Sequence, residues 1–279
     1  MNSSEIIRES LGQLPEEILE KMEKAAKRGG AIMLSAENAD KDVHAKPGTA
    51  NYVTKYDSLV QQAMREELSR IFPQAGFLGE EDGADVVGNA DWEWIVDPID
   101  GTTNFIHRYH HSAVSIALAY HRESIAGVVY DPYTDEVYKA VRGGGAFLND
   151  KPVRVSDLPL ASGLCGFGTS PYHRHLADRT FETAKQLFLH AADIRRSGSA
   201  AKDLCDIAAG RLDLDFEIIL QPWDFAAAKV IIEEAGGCMG HLDGTELDLY
   251  APNEILAGNP KCFEEFVRLG IGAENGKES

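Results

Sequence analysis

The stretch that decides the fold is Trp94-Ile95-Val96-Asp97-Pro98-Ile99-Asp100-Gly101-Thr102-Thr103-Asn104-Phe105. Its apolar first part predicts a strand that ends at Asp97, and Asp100 follows across a proline turn. Gly101-Thr102-Thr103 predicts the start of a short helix, whose exposed amides suit a phosphate group. Two carboxylates on one turn can converge on a hard cation, because such cations prefer oxygen ligands. Asp100 could instead be a helix N-cap, but a cap needs no second carboxylate at the strand end.

Two other segments place acids after or inside a predicted element. The upstream segment is Phe77-Leu78-Gly79-Glu80-Glu81-Asp82, which taken alone favours an acidic surface loop. The downstream segment is Gln221-Pro222-Trp223-Asp224, in which Asp224 lies just inside a predicted helix start. A carboxylate there could serve the helix dipole or a metal ion, and the local sequence leaves both alternatives open.

Around these segments the chain predicts a mixed α and β fold. Apolar residues at helical spacing predict helices over about 14–35 and Asp57–Ile71. An antiparallel meander packed on these helices is predicted from Trp92–Val96, Ala113–Tyr120, Ile125–Tyr130 and Glu136–Val141. Strands and helices then alternate, with strands at Leu164–Gly168, Arg211–Ile218 and Ile255–Ala257 and helices at His175–Ala191, Ser199–Ala209, Pro222–Ala235 and Lys261–Leu269. We predict two domains, 1–155 and 156–279.

The composition excludes several classes of partner. The 279 residues carry a formal net charge of -18, so nucleic acid and anionic membrane surfaces are expected to be repelled. Four cysteines occur without a metal-type Cys-x-x-Cys spacing, which is typical of buried thiols in a reducing compartment. We find no signal-peptide pattern at the start of the sequence, and no apolar run reaches the length of a membrane span. A cytoplasmic protein is therefore expected.

The acidic segments together resemble the signatures of the inositol monophosphatase family, within a magnesium-dependent, lithium-sensitive phosphatase superfamily. The resemblance is carried, in the same order and spacing, by Gly79-Glu80-Glu81, Asp97-Pro98-Ile99-Asp100-Gly101-Thr102-Thr103-Asn104-Phe105 and Trp223-Asp224. It extends over nearly the whole chain and implies a layered αβαβα sandwich, like that of sugar phosphatases, and a homodimer. It also implies Mg²⁺-dependent hydrolysis of a small phosphate monoester, above all myo-inositol monophosphate, by direct in-line attack of water.

The resemblance also implies a role for particular residues of this chain. The implied catalytic residues are Glu80, Asp97 and Thr102, and the implied metal ligands are Glu80, Asp97, Asp100, Asp224 and the Ile99 carbonyl. Implied substrate contacts are Gly101, Thr102, Thr103, Glu217, Ser170 and Ala200, and the implied supporting residues around the ligands are Lys46, Asp57 and Glu81. Three magnesium ions would more than offset four ligand carboxylates and would make the site attractive to a phosphate dianion.

Four positions depart from the pattern of the family. We would expect glycine at Leu214, Ile219 and Ala228, and an aromatic residue at Asp215. These departures surround the implied substrate carboxylate and leave the ligands unchanged, so they bear on substrate choice. A fructose-1,6-bisphosphatase or a 3'-phosphoadenosine-5'-phosphate phosphatase of the same superfamily is an alternative, although Thr103 argues against the nucleotide branch. An alternative of another class is a catalytically inactive, metal-binding regulatory protein.

Two further patterns suggest other ligands. His107, His110 and His111 have a spacing that could hold zinc on a helix, but exposed or hydrogen-bonded histidines are the favoured interpretation. Gly166-Phe167-Gly168 resembles the start of a dinucleotide-binding loop. It lacks the third glycine and is followed by Pro171, so a tight turn is predicted instead.

Overall fold

Most of the chain folds around one large sheet. The computed structural model describes Ile7 and residues 14–37, 39–46, 52–82 and 90–273. A short antiparallel pair, β1 (His44–Ala45) and β2 (Tyr52–Val53), stands apart from it. The large sheet has the order β3-β4-β5-β6-β7-β8-β9. Its strands are β3 (Gly76–Gly79), β4 (Trp92–Asp100), β5 (Ala113–Tyr120), β6 (Glu123–Asp131), β7 (Glu136–Val141), β8 (Ala146–Leu148) and β9 (Lys151–Pro152).

The second sheet is smaller and mixed. Its order is β11-β10-β12-β14-β13, with β10 parallel to both of its neighbours and the other pairs antiparallel. Side chains alternate along its central strand, so that Phe216 and Ile218 face one apolar cluster while Asp215 and Glu217 face the other way. Its strands are β10 (Leu164–Phe167), β11 (Asp193–Arg195), β12 (Leu214–Leu220), β13 (Cys238–Gly240) and β14 (Asn253–Gly258).

Helices cover the sheets and separate them. The helices are α1 (Pro15–Ser35), α2 (Lys55–Ile71), α3 (Thr102–His107), α4 (Ala177–His190), α5 (Ala200–Ala208), α6 (Pro222–Glu234) and α7 (Pro260–Leu269). Helices α1 and α2 pack on one face of the large sheet, and α5 and α6 form an apolar layer between its other face and the small sheet. Helices α4 and α7 cover the outer face of the small sheet. This αβαβα layering confirms the predicted fold class.

The predicted elements correspond to observed ones, with corrections at their ends. Strand β4 does not end at Asp97, since after a bulge between Asp97 and Asp100 it makes one further pair with β5, between Asp100 and Ala113. The strand predicted over Arg211–Ile218 runs over Leu214–Leu220, and α2 begins at Lys55 because Thr54 caps it. Strands β3, β8, β9, β11 and β13 were not predicted, because segments of two to four residues show no clear alternation.

The layer between the sheets contains residues from both predicted domains. Ile95 and Val129 of the large sheet share one apolar cluster with Phe225 of α6 and Ile255 of the small sheet. The division at residues 155 and 156 therefore stays a prediction. In the part of the chain that the structure describes, we find no helix with the length and apolarity of a membrane span.

A glycine sets how closely α6 approaches the large sheet. A Cβ atom at Gly127 of β6 would lie 2.4 Å from the backbone carbonyl oxygen of Ala227 on α6. Backbone atoms cannot rotate away from such a contact, so a side chain at this position would displace the helix. Because α6 also carries Asp224 in its first turn, this contact fixes the position of one of the candidate metal ligands.

We predict that Gly127→Ala lowers the free energy of unfolding by about 1–3 kcal/mol, because the added methyl group overpacks the contact between β6 and α6. Urea unfolding, followed by far-UV circular dichroism, measures the change. An unchanged unfolding midpoint would show that the layer can yield at this contact.

Candidate metal centre and active site

Three carboxylates from distant parts of the chain converge at one end of the large sheet. Carboxylate oxygens of Asp97, Asp100 and Asp224 all lie within 4.8 Å of one another. Asp97 and Asp100 belong to the end of β4, whereas Asp224 lies in the first turn of α6. A set of carboxylate oxygens suits hard divalent cations such as Mg²⁺, Ca²⁺ or Mn²⁺, so these three residues could hold a metal ion.

Backbone amides orient the two carboxylates of β4. The amide of Ile99 donates to Asp97 Oδ1 at 2.9 Å, which closes a turn at the bulge. The amide of Ala201 donates to Asp100 Oδ2 at 3.0 Å, and the Ser199 hydroxyl donates to the same oxygen. Asp100 thus binds the N-terminus of α5, where the helix dipole favours a negative charge. It does not cap α3, whose N-cap is Gly101.

Asp224 serves the helix and the cluster together. It occupies the third position of α6, and its Oδ2 accepts the Gln221 amide at 2.7 Å, as in a capping box. Its other oxygen remains for a cation. The two alternatives left open by the local sequence are therefore compatible, because a carboxylate has two acceptor oxygens.

Burial and mutual repulsion oppose the charges of this cluster. Burial raises the pKa of Asp97 well above its usual range, and the charges of Glu80, Asp100 and Asp224 raise it further. Burial raises the pKa of Asp100 to about 6 against the opposing hydrogen bond from Ser199. The pKa of Asp224 is also raised well above its usual range, by burial and then by Asp100. A bound cation would remove this penalty, since opposite charge favours the ionised carboxylates.

The upstream acids lie beside this cluster and share a lysine. Lys46 Nζ lies 3.1 Å from Glu80 Oε1 and 2.7 Å from Glu81 Oε1. Burial raises the pKa of Glu80 although Lys46 opposes the rise, and Asp97 is a close neighbour. Glu80 is not part of the set that lies within 4.8 Å, so its ligand role stays a prediction. The acidic run is not a plain surface loop, because Glu80 and Glu81 are both partly buried.

A threonine links the bulge to the start of α2. The Thr102 hydroxyl lies 3.1 Å from the Ile99 carbonyl oxygen and 3.4 Å from Asp57 Oδ1. Asp57 in turn accepts the amide of Thr54 at 2.7 Å, in the capping box of α2. Burial raises the pKa of Asp57 to about 6 despite these bonds. The chain of contacts holds the Thr102 hydroxyl beside the bulge of the metal cluster.

The turn into α3 requires glycine. Gly101 has a φ of +80°, and a Cβ atom there would lie 3.1 Å from the carbonyl oxygens of Gly198 and His111. The amide of Phe105 donates to the Gly101 carbonyl at 3.0 Å and closes the first turn. The amides of the first helical residues, Thr102 and Thr103, have no acceptor within a helix of this kind. They are the candidate groups for binding phosphoryl oxygens.

The predicted substrate residues lie on the side of the small sheet. Glu217 on β12 is buried, and its carboxylate lies against Gly168, where a Cβ atom would come within 1.7 Å of Oε2. Burial raises the pKa of Glu217 well above its usual range, and Asp215, Asp203 and Asp224 raise it further against the opposing charge of Arg196. Arg211 does not pair with Glu217; its guanidinium binds Glu136 instead.

The other two predicted substrate residues are Ser170 and Ala200. Ser170 is buried in the loop after β10, and its hydroxyl has no hydrogen-bond partner among the described residues. Ala200 is the first residue of α5, next to the amide of Ala201 that binds Asp100. Gly166 and Gly168 do not belong to a dinucleotide loop, because their missing side chains leave room for Asp215 and Glu217.

Asp215 is the departure from the family pattern that the structure makes conspicuous. It is 0% exposed, and neither of its carboxylate oxygens has a hydrogen-bond partner among the residues described. Burial raises its pKa well above the usual range, and the charge of Asp203 adds to the rise. The other departures, Leu214, Ile219 and Ala228, are apolar and are buried or partly buried. A charge at position 215 is thus strongly disfavoured at neutral pH.

The histidines do not form a zinc site in the described residues. His110 Nε2 pairs with Glu37 at 2.9 Å and its ring stacks on Tyr133. His111 Nε2 lies 3.4 Å from Asp203. The group found among the described residues that could hold a metal ion consists of aspartates.

The sequence did not point to the residues that orient the ligands. Ser199 lies at the predicted start of a helix, a frequent place for serine, but its partner Asp100 is 99 residues away in the chain. Gln221 likewise binds Asp224 through its backbone amide, which any residue type could provide. When the group that binds a helix start comes from a distant part of the chain, as Asp100 does, the sequence near the helix does not reveal it.

Comparison with known proteins shows what the whole chain is similar to. A sequence model described as the inositol monophosphatase family matches residues 14–269. An inositol-1-monophosphatase of Rhizobium meliloti is 42% identical over 229 residues, which cover 80% of this chain and 85% of that protein. The Nus factor SuhB of Escherichia coli K12 is 37% identical over 244 residues, which cover 87% of this chain and 91% of its own.

Solved structures share the same fold. The extragenic suppressor protein suhB of Bartonella henselae superposes with a TM-score of 0.85 at 34% identity, over 93% of this chain and 99% of its own. The inositol monophosphatase of Anabaena superposes with a TM-score of 0.80 at 33% identity, over 91% and 94% of the two chains.

We predict that Asp215→Asn stabilises the protein and that the gain grows with pH. Because the folded pKa of Asp215 lies above its unfolded value, wild type loses stability as pH rises above about 3.9, and the amide variant does not. The gain in the free energy of unfolding should reach roughly 1–3 kcal/mol near neutral pH. Each kcal/mol should raise Tm by about 2–4 °C. Thermal unfolding between about pH 5 and pH 8 measures it.

Asp213→Asn is the matched control for this substitution. Asp213 is also buried and lies just before β12, but its oxygens accept the Ser156 hydroxyl and the Leu164 amide. Its substitution should lower Tm. If Asp215→Asn lowers Tm to the same extent at every pH, Asp215 has a charged partner in solution and the argument from burial fails.

Proposed function

The chain belongs to the inositol monophosphatase family, and from that premise we propose that it is a magnesium-dependent phosphatase of small phosphate monoesters. Myo-inositol monophosphate is the substrate that we favour. The observation that carries the proposal is the convergence of Asp97, Asp100 and Asp224 within 4.8 Å, next to the turn into α3, whose first amides have no acceptor within the helix. Phosphatase chemistry needs positive charge at the phosphoryl group, and this cluster is built to hold cations.

Magnesium would be held by Asp97, Asp100 and Asp224, with Glu80 and the Ile99 carbonyl at the edge of the cluster. All of these donors are oxygens, which is the donor set that Mg²⁺ prefers. When bound, the metal supplies positive charge that offsets the carboxylates and acidifies a coordinated water. The Ala201 and Gln221 amides keep Asp100 and Asp224 aimed at the cluster.

The other residues orient water and substrate. The Thr102 hydroxyl, held between Ile99 and Asp57, and the Glu80 carboxylate are the groups that would orient the attacking water. Beside a bound cation and Lys46 Nζ, which lies 3.1 Å from Glu80 Oε1, the Glu80 carboxylate would be ionised and able to accept a hydrogen bond from that water. The amides of Thr102 and Thr103 would hold the phosphoryl oxygens as charge develops.

Glu217 would bind the hydroxyl groups of the alcohol part. It lies seven residues before Asp224 and faces the same layer, so a substrate bound at the cluster can reach it. Fructose 1,6-bisphosphate and 3'-phosphoadenosine 5'-phosphate are the alternative substrates within the superfamily. Thr103 argues against the nucleotide branch, whereas the sugar bisphosphate shares the core chemistry and stays an alternative.

A regulatory role without catalysis is the alternative of another class. Several similar relatives carry the name Nus factor SuhB, which is said of those proteins. The presence here of the aspartate cluster together with Glu80 and Thr102 favours an enzyme. Release of inorganic phosphate from myo-inositol 1-phosphate, with and without Mg²⁺, separates the two.

We predict that Asp97→Asn abolishes most hydrolysis and leaves the fold intact. Loss of one ligand carboxylate should remove several kcal/mol of stabilisation of the transition state, which is about 100-fold or more in kcat/KM. The rise in Tm on adding Mg²⁺ should also be lost. In metal-free buffer Tm should stay the same or rise, since the substitution removes a buried charge that other carboxylates repel.

Asp82→Asn is the matched control, because Asp82 follows the upstream acids but pairs with Gln61 and Arg65. It should keep activity within about twofold, as expected for a surface pair. Normal turnover by purified Asp97→Asn would refute the metal assignment.

We predict that Glu217→Gln loses activity on the polyol selectively. An ionised carboxylate accepts hydroxyl hydrogen bonds worth roughly 1.5–3 kcal/mol each, so kcat/KM for myo-inositol 1-phosphate should fall about 10-fold or more. p-Nitrophenyl phosphate has no such hydroxyls and should be hydrolysed as before. Because the pKa of Glu217 is raised, the preference of wild type for the polyol should increase as pH rises, while that of the variant stays flat. Equal losses on both substrates, with a lower Tm, would assign Glu217 a purely structural role.

A further inference from the structure

The carboxylate of Asp100 is held from two sides. On one side Asp100 belongs to β4 and pairs through its backbone with Ala113 of β5. On the other side the Ser199 hydroxyl and the Ala201 amide both donate to its Oδ2. Because these two donors come from the start of α5, the direction of the carboxylate depends on how that helix start is held against the large sheet.

Asn104 bridges the two sides. It is the third residue of α3, the helix that follows Asp100 in the chain, and it is 7% exposed. Its amide nitrogen, Nδ2, donates to the Ser197 carbonyl at 3.0 Å and to the His111 carbonyl at 2.7 Å. Ser197 leads into α5, and His111 leads into β5. A single side chain therefore joins the helix after Asp100 to both segments that contact Asp100.

The contact with the start of α5 is close. A Cβ atom at Gly198 would lie 3.2 Å from Asn104 Nδ2, so the amide group packs on the backbone between Ser197 and Ser199. The Ser197 hydroxyl binds Asp203, which belongs to α5 itself. That bond stays within one element, whereas the bond from Asn104 crosses from the large sheet to α5.

The chemistry of this contact suits an asparagine. Both acceptors are backbone carbonyl oxygens, which carry like partial charges and cannot bind each other. A side-chain amide nitrogen has two hydrogens and can donate to both carbonyls, whereas a hydroxyl has one hydrogen and a carboxylate has none. Loss of the amide would leave two carbonyls without this donor in a poorly hydrated place, which costs free energy.

We propose that Asn104 is a positioning residue of the metal centre, whose amide keeps Ser199 seated on Asp100. The proposal rests on the proposed function, because it concerns the ion that would lie between the aspartates. Without the bridge, Asp100 Oδ2 would lose its fixed donors. Repulsion from the neighbouring aspartates would then turn this carboxylate away from the cluster and weaken the site for a cation.

The test is Asn104→Ala, followed by the rise in Tm that Mg²⁺ causes in the absence of substrate. Loss of a group that orients metal ligands typically weakens binding, so the Kd for Mg²⁺ obtained from this titration should rise about 10- to 100-fold. The Mg²⁺ concentration for half-maximal hydrolysis of p-nitrophenyl phosphate should rise in parallel. At saturating Mg²⁺, kcat should recover most of its wild-type value, because Asn104 acts only through Asp100.

Asn104→Ser is a second variant for the case in which the alanine variant does not fold. Its hydroxyl can donate to at most one of the two carbonyls, so its Kd for Mg²⁺ should lie between those of wild type and Asn104→Ala. Far-UV circular dichroism and Tm in metal-free buffer show whether each variant is folded.

Asn259→Ala is the matched control. Asn259 is 0% exposed, and its amide nitrogen donates to the Ser156 hydroxyl at 2.8 Å and the Leu158 carbonyl at 3.1 Å. It follows the end of β14 that pairs with Leu214, the first residue of β12, whereas Asp224 lies beyond the other end of β12. Because Asn259 also caps α7, its substitution should lower Tm in metal-free buffer at least as much, with the Kd for Mg²⁺ unchanged.

The proposal is overturned if Asn104→Ala lowers Tm in metal-free buffer but leaves the Kd for Mg²⁺ unchanged, because Asn104 is then a structural bridge alone. It is also overturned if Asn259→Ala weakens Mg²⁺ binding as much, or if neither Asn104 variant folds. If wild type binds Mg²⁺ but hydrolyses no phosphate ester, the proposed function fails, and the titration of Tm still decides the role of Asn104. If Mg²⁺ does not raise the Tm of wild type, both the metal assignment and this proposal are refuted.

Discussion

Repulsion among buried carboxylates is the constraint on which the rest of this structure depends. Asp97, Asp100 and Asp224 cannot all be ionised within 4.8 Å of one another unless a cation lies between them. The protein supports this arrangement with amides, one for each carboxylate, from the bulge of β4 and the starts of α5 and α6. A bound cation and a bound proton would therefore relieve the same repulsion between carboxylates.

The layered fold brings the N-termini of three helices close to the acidic cluster. Asp57 lies in the first turn of α2, Asp100 binds the start of α5 and Asp224 lies in the first turn of α6, so three positive helix ends meet the acidic cluster. The close packing of α6 on β6 at Gly127 holds α6 at a fixed distance from the large sheet, and with it Asp224. Stability of the layer between the sheets and geometry of the metal site are thus coupled through one helix.

The substrate side has a different character. Glu217 and Asp215 occupy one face of β12 above two glycines, and Arg196 is a cation whose charge opposes the rise in the pKa of Glu217. Asp215 adds an unpartnered acid where the family pattern leads one to expect an aromatic ring, so this chain keeps a group at 0% exposure that favours its neutral form. In the proposed function, the choice of alcohol would follow from these buried acids and the phosphoryl chemistry would depend on the aspartate cluster.

The sequence by itself determined the longer elements, the fold class and the positions of the acids, because apolar periodicity and the turn at Pro98 are local properties of the chain. It also made Asp97 and Asp100 candidate ligands, since they are three residues apart. The resemblance implied that Asp224 joins them. Only the tertiary structure decided that the three carboxylates converge within 4.8 Å, that Ser199 binds Asp100 across 99 residues and that Asp215 lacks a hydrogen-bond partner among the described residues. The reason is physical: such contacts depend on how separate layers pack, and packing between residues distant in the chain leaves no periodic trace in the sequence.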